Sequence, residues 1–258
     1  MALAIITGAS SGIGREFAQL CARDGYDVVL IARSQASMES FARDIQASTG
    51  RSAQVIAKDL SLDSAPGEVF EQVSKDPAPV EVLINNAGFG LVGRFWELDI
   101  TQQVEMVNLN ITALTHLTRL FLPGMIKRRR GRILNVASTA AFQPGPLMAV
   151  YYASKAYVVS FSEALHNECR DLGVSVTALC PGPTKTGFQE RAGASSTRLF
   201  QSGRAMDAAT VAQIGYNGMK AGKPMIISGR MNAAMAFLTR FAPIQLTASM
   251  ARRFNGSA

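Results

Sequence analysis

The 258-residue chain predicts a doubly wound α/β fold: a mostly parallel, seven-stranded sheet with helices on both faces, in a single domain over 1–258. Three observations predict it. Seven short apolar runs recur along the chain, helix-like segments separate them, and a glycine-rich turn follows the first run. Runs that are apolar throughout, not alternating, suit strands buried on both faces. Strand–helix alternation then implies parallel crossover units.

The elements read in order as follows. Ala2–Thr7 is a strand ended by glycine, and Ser11–Asp24 a helix. Asp27–Ala32 is the second strand, Ala36–Ser48 the second helix, and Ala53–Lys58 the third strand. A helix over 62–75 precedes strand Val80–Asn85, and one long helix spans Ile100–Arg129. Strand Arg132–Ala137, helix Tyr151–Asp171 and strand Val174–Cys180 come next, then helix Ala208–Lys220 and strand Pro224–Ser228. The breaks at Pro77–Pro79 and Pro144–Pro146 are turns within the domain.

Composition excludes several classes. The chain is 48% hydrophobic and 17% charged, too apolar for disorder. No run of ~18 apolar residues spans a membrane. The N-terminus lacks the basic flank of a secretory signal. Three unpaired cysteines point to free thiols in a reducing compartment, so a cytoplasmic location is expected. The two histidines, His116 and His166, have no ligand pattern around them, so no metal is expected.

The net charge of +7 is unevenly placed. Residues 1–185 carry 17 Lys/Arg against 17 Asp/Glu, and residues 186–258 carry 9 against 2. The basic run Lys127–Arg132 falls where a helix ends, a position that favours cations, so it is read as a solvated helix end and no nucleic acid is expected.

Thr7-Gly8-Ala9-Ser10-Ser11-Gly12-Ile13-Gly14 joins the first strand to the first helix. Glycines there let backbone amides approach a pyrophosphate at the positive end of a helix. Gly8, Ser10, Ser11, Gly12, Ile13 and Gly14 are the phosphate candidates. Gly8–Gly12 also fits the G-x-S-x-G nucleophile elbow, but that chemistry needs a histidine on a later loop, and both histidines lie in helical patterns. The second strand ends at Arg33, with no acidic residue for a ribose 2′-hydroxyl. An arginine suits the 2′-phosphate of NADP(H), preferred here over NAD(H); the alternative is a solvated surface arginine. Tyr151 and Lys155, four apart at a helix start, share one face. A neighbouring ammonium is expected to lower the phenol pKa towards the range of proton transfer.

Together with Asp59, Asn85-Asn86-Ala87-Gly88, Asn110, Ser138, Pro181-Gly182 and Thr186, these motifs run in order over residues 2–186. The chain thereby resembles the conventional, NADP(H)-preferring branch of the short-chain dehydrogenase/reductase family, with its Rossmann-type fold. The resemblance implies an oxidoreductase interconverting a ketone or aldehyde and an alcohol. Tyr151 is then the general acid/base, and Ser138 holds the substrate oxygen. Lys155 binds the nicotinamide ribose, and Asn110 holds a water that links Lys155 to solvent. Asn110 is chosen over Asn108 by its interval to Pro123. The resemblance places Asp59 and Leu60 at the adenine and Asn86, Ala87 and Gly88 along the cofactor. Pro181, Gly182 and Thr186 fall at the nicotinamide, and Asn85 is structural. Tyr152 departs from the motif and packs or lines the site.

Residues 183–207 read as a substrate lid, whose Arg191, Arg198 and Arg204 meet solvent or an anionic substrate. Residues 230–258 form an apolar, basic extension with stripes Phe237/Phe241 and Leu246/Met250/Phe254. Packing against the core, the cleft or another subunit is the favoured reading of these stripes, and peripheral membrane contact the less favoured one. The family resemblance implies a homodimer or homotetramer paired through the helices of Asn110 and Tyr151. A small carbonyl or alcohol is the expected partner, either a 3-oxoacyl thioester or a steroid or small ketone. The alternative from another class is a catalytically silent NADP(H)-binding scaffold or redox sensor.

Overall fold

A computed structural model describes residues 2–194, 197–198 and 205–256. Arg204 lies outside the described residues. Seven strands form one sheet: β1 Leu3–Thr7, β2 Asp27–Ala32, β3 Ala53–Ala57, β4 Val80–Asn85, β5 Gly131–Val136, β6 Val174–Cys180 and, at the far edge, Met225–Ile227. Their order is β3-β2-β1-β4-β5-β6 and then Met225–Ile227, with every pairing parallel. The parallel sheet that strand–helix alternation implied is therefore present, parallel throughout.

The continuous apolar runs have a direct cause. Ala4, Ile6, Val28 and Leu30 enter one core layer, while Leu3, Ile5, Val29 and Ile31 enter the other. Alternate side chains point to opposite faces, so a strand covered on both sides must be apolar at every position. On the first face lie α1 (Gly12–Arg23) and α2 (Gln35–Thr49), with Phe17 and Phe41 fully buried. The other face carries α3 (Ala65–Val73), set by Val69 and Val73.

The expected long helix is divided. It runs as α4 (Ile100–Val107), a π-helical stretch Asn108–Ala113, and α5 (Leu114–Lys127). The π stretch turns Asn110 inward until it is buried. There its Nδ2 donates to the Phe89 carbonyl at 3.0 Å and its Oδ1 accepts from the Phe89 amide at 3.2 Å. Such one-turn widenings are frequent at functional positions.

Next comes α6 (Ala149–Cys169), followed by the two-residue strands β7 (Thr184–Lys185) and β8 (Met206–Asp207), which pair at the base of the lid. Between them Phe188–Arg191 forms a single turn, α7. The lid is thus anchored by a short ladder that the glycine-, serine- and alanine-rich sequence did not suggest. Then follow α8 (Ala208–Lys220) on the first face, β9 (Met225–Ile227), α9 (Arg230–Leu238) and α10 (Ile244–Asn255). Pro243 begins α10 and so separates the two tail stripes.

The basic run is pinned more firmly than a solvated end. Arg128 and Arg129 donate to the carbonyls of Val80 and Asp171, each at 2.8 Å, and Arg130 pairs with Glu81 at 3.0 Å.

The strand order reverses direction at β1 and β4, which places a crevice at their carboxyl ends. Close packing there is strict. A methyl at Gly14 would fall on the Gly8 carbonyl oxygen and the Asn86 amide. Gly14→Ala is therefore expected to destabilise the fold by about 1–3 kcal/mol, as overpacking against backbone does, and to displace the loop. Chemical denaturation of the variant checks this.

Candidate active site

A single cavity of about 820 Å³ opens along the carboxyl edge of the sheet. One end is built by the loop after β1. Gly8 and Gly12 adopt positive φ of 66° and 57°, which glycine alone adopts without strain. The first amides of α1 have no intrahelical acceptor, and Ser11 makes no side-chain cap. These donors face a space where a Cβ on Gly12 would stand 3.0 Å from the Thr186 methyl. Such a backbone cradle, set at a helix start, fits a pyrophosphate. Gly8, Ser10, Ser11, Gly12 and Ile13 all line the cavity, while Gly14 packs beneath it.

Beyond the loop lie Arg33, Asp59 and Leu60. Arg33 is largely exposed, with a 3.8 Å ion pair to Asp59. Burial would raise the Asp59 pKa, but two hydrogen bonds from Ser61 and the Arg33 charge outweigh it and hold the carboxyl below its ordinary value. An exposed guanidinium at the rim, held by one long ion pair, suits a phosphate ester there.

The segment after β4 divides by residue. Asn85 is buried, its Nδ2 donating to Thr118 and to Asn135, and Asn135 in turn donates to Ser162 on α6. This chain of amides ties α6 to the sheet. Asn86 borders the cavity, but its Nδ2 donates to the carbonyls of Thr7 and Gly8. It braces the phosphate loop from below. Ala87 and Gly88 line the cavity floor. A Cβ on Gly88 would stand 2.8 Å from Asn110 Oδ1 and 3.4 Å from Lys155 Nζ, so the backbone there fits only without a side chain.

The other end holds Ser138, Tyr151 and Lys155, with Pro181 beside Ser138; Gly182 also lines the cavity, and Thr186 reaches back to Gly12 of the phosphate loop. Ser138 begins the turn after β5: its Oγ accepts from the Ala140 amide at 3.1 Å and donates to the Pro181 carbonyl at 3.4 Å. The local capping role and the cavity-facing position coexist in one hydroxyl. Lys155 is buried and donates to the Val136 carbonyl at 2.9 Å. Asn110 does not reach Lys155 through its side chain; its third hydrogen bond goes to Ser154 on α6, at 3.0 Å. Asn108 lies outside the cavity wall.

One expectation is corrected. Burial pushes the Tyr151 phenol up to about 12, against a smaller lowering by its hydrogen bond to Ser138. Lys155 is not among the groups that set this shift; its ammonium lies 5.8 Å from the phenol ring centroid and donates to the Val136 carbonyl. Burial pushes Lys155 itself down to about 8. In this state the phenol holds its proton at neutral pH.

Several wall residues carry no motif. Tyr152 is buried beside Tyr151, its hydroxyl donating to Asn255 Oδ1 at 3.1 Å, while Asn255 Nδ2 donates to the Pro146 carbonyl at 3.0 Å. The last helix is thus latched to the helix of Tyr151 from 103 residues away in sequence. Phe188 stands against the Tyr151 ring, with centroids 5.4 Å apart. Met231, Met235, Leu238, Met250 and Phe254 close the outer wall. The stripe of Leu246, Met250 and Phe254 was expected to pack; Met250 and Phe254 do border the cleft, yet all three remain exposed. Phe237 and Phe241 do not pack on the core at all, being 58% and 73% exposed. The buried side of this hairpin is its small and polar one: Ala236, Thr247, Ala251 and Asn255.

Neither histidine serves a hydrolase: His166 hydrogen-bonds the Val176 carbonyl and His116 is exposed. Among the described residues no group of three His, Cys, Asp or Glu side chains could hold a metal, and no helix is long and apolar enough to cross a membrane.

Comparison with known proteins agrees with this geometry. The chain is 34% identical over 184 residues to a very-long-chain 3-oxoacyl-CoA reductase of Rattus norvegicus, an alignment covering 69% of this chain and 58% of that protein. It is 35% identical over 183 residues to a 17-beta-hydroxysteroid dehydrogenase type 3 of Danio rerio, covering 69% and 59%. The chain thus spans less than two thirds of the length of these relatives. A short-chain dehydrogenase from Sphingobium yanoikuyae, solved in complex with NADPH, superposes with a TM-score of 0.83 at 27% identity, covering 94% of this chain and 97% of that one. The profile of the short chain dehydrogenase family matches residues 2–196, and the chain belongs to that family.

Proposed function

We propose that the protein is an NADP(H)-dependent oxidoreductase that interconverts a carbonyl and an alcohol. One observation carries the reading: a single cavity joins a backbone phosphate cradle and Arg33 at one end to Ser138, Tyr151 and Lys155 at the other. When bound, NADP(H) supplies or accepts the hydride. Gly8 to Ile13 and the start of α1 hold the pyrophosphate, Arg33 the 2′-phosphate, and Lys155 the nicotinamide ribose. Ser138 hydrogen-bonds the substrate oxygen, and Tyr151 donates the proton that this oxygen needs on reduction. Asn110 keeps α6 and the Phe89 segment in register beneath Lys155, the position in which it would also serve a water relay.

The substrate we infer is a ketone with a large apolar body, a 3-oxoacyl thioester first. Phe142, Met148, Met235, Leu238 and Met250 supply an apolar wall, and Arg191 borders the same cavity for an anionic end group. The name of the rat relative supports this choice; that of the Danio rerio relative supports a steroid ketone as second reading. Pairing of subunits through α4 and α6 is part of the proposal, since Ile100, Val104 and Tyr157 leave apolar surface there.

The test is NADPH consumption by the purified protein across 3-oxoacyl thioesters, steroid ketones and small ketones. Turnover is expected, fastest with long-chain thioesters. Tight NADPH binding with no turnover on any class would instead establish a scaffold. In the same assay Arg33→Ala should raise KM for NADPH about ten- to a hundredfold, the scale of a lost charge-assisted hydrogen bond, and leave KM for NADH unchanged.

A further inference from the structure

We propose that the C-terminal hairpin, α9 and α10, is a docking surface for an anionic lipid bilayer, and that it opens the substrate cleft onto that bilayer. The surface chemistry makes the case. Phe237, Leu238, Phe241, Ile244 and Leu246 are between 54% and 73% exposed, within a span of ten residues. Scattered exposed apolar side chains are ordinary, but a contiguous set of this size marks an interaction surface.

Charge identifies the occupant. After Asp207 the chain contains no Asp or Glu at all, against six Lys or Arg. Arg230, Arg240, Arg252 and Arg253 are exposed on the hairpin, and among the described residues no carboxylate pairs with them. Apolar side chains flanked by unpaired arginines match the boundary of an anionic membrane, where the rings and aliphatic chains enter the acyl region and the guanidinium groups meet lipid phosphates. The two helices, of 9 and 12 residues, are too short to cross a bilayer, so the docking proposed is at its surface.

The hairpin is also the outer wall of the cavity. Met231, Met235, Leu238, Met250 and Phe254 are solvent-exposed and line the cleft, so they stand at its mouth. An apolar substrate dissolved in the bilayer would pass between these side chains to Tyr151 without crossing water. This route rests on the proposed ketone reduction; the docking itself does not.

The experiment is flotation of the full-length protein with phosphatidylcholine vesicles, and with vesicles that also hold about 30% phosphatidylglycerol, an anionic surface of the kind polybasic segments bind. The protein should float with the anionic vesicles and roughly tenfold less with the neutral ones, and high salt should release it. Phe237→Glu with Phe241→Glu, and separately Arg240→Gln with Arg253→Gln, should each lower binding about tenfold or more, with unchanged melting temperature and NADPH binding. None of these four side chains borders the cavity. The arginine pair keeps the apolar surface intact, so it reports on docking even if the glutamate pair fails to fold.

No flotation, equal flotation with neutral vesicles, or flotation unaffected by either pair overturns the proposal. A fall in oligomeric mass in the variants, by light scattering, without vesicle binding by the parent protein, would assign the surface to a second copy of the chain. Anionic vesicles should further raise turnover of a bilayer-dissolved ketone but not of a water-soluble one. Flotation without turnover on any ketone would leave the docking in place and remove the enzymatic reading.

Discussion

Tyr151→Phe should lower kcat for ketone reduction by about 10³- to 10⁴-fold while NADPH binding, followed by fluorescence, stays within about twofold of the parent. The change removes one oxygen. The ring keeps its contacts with Tyr152 and Phe188, and α6 keeps its ties through Lys155 and Ser162. What disappears is the proton donor beside Ser138. Because burial pushes the phenol up to about 12, it is protonated throughout the neutral range and ready to donate. Reduction should therefore hold its rate up to alkaline pH. Alcohol oxidation needs the phenolate and should accelerate as pH rises. Turnover of Tyr151→Phe comparable to the parent would remove the assignment.

Lys155→Met should have two opposite effects: a loss of turnover of about a hundredfold or more, and a higher melting temperature. Lys155 is an ammonium buried with one carbonyl partner, and burial pushes it down from 10.5 to about 8. A shift of this size corresponds to about 3 kcal/mol of destabilisation by the charged form. At pH 7 the group is charged in both folded and unfolded chains, so the whole penalty is present. Between about 8 and 10.5 the unfolded chain binds the extra proton, and stability rises with pH until the penalty is gone. Methionine removes the charge but leaves the Val136 carbonyl without its donor, at a cost of about 1 kcal/mol. The net gain of about 1–2 kcal/mol should raise the melting point by about 3–6 °C at pH 7. That gap should narrow as pH rises past 8. A variant that melts lower at pH 7, or a gap independent of pH, would refute the burial account.

Both predictions concern residues legible from their spacing, four apart on one helix, yet their protonation states were not legible. The phenol was expected to be lowered by its lysine neighbour. Sequence distance places the two on one face but says nothing of where the ammonium points, and Val136, at the end of β5, decides that. Asn86 is a similar case. Its motif marks it as a cofactor contact and it does border the cavity, but that its amide also braces the phosphate loop through Thr7 and Gly8 was not legible.

The sheet itself was determined by local pattern. Strands buried on both faces must be apolar at each position, so β2, β4 and β6 coincide with their expected bounds. The phosphate loop was equally plain, because positive φ at Gly8 and Gly12 requires glycine. The rest depended on contacts made across the chain. The π stretch at Asn108–Ala113 exists where Asn110 meets Phe89 and Ser154, from two other segments. The pairing of β7 with β8 closes over residues with no strand signal. In the tail, helical periodicity was visible, but not which face turns inward. Asn255 meets Tyr152 and Pro146, and that latch sets the small face of α10 against the protein, with Met250 and Phe254 at the mouth of the cleft and Leu246 exposed. Local sequence encodes backbone preference and periodicity; the direction a face points is settled only by the partners that folding brings to it.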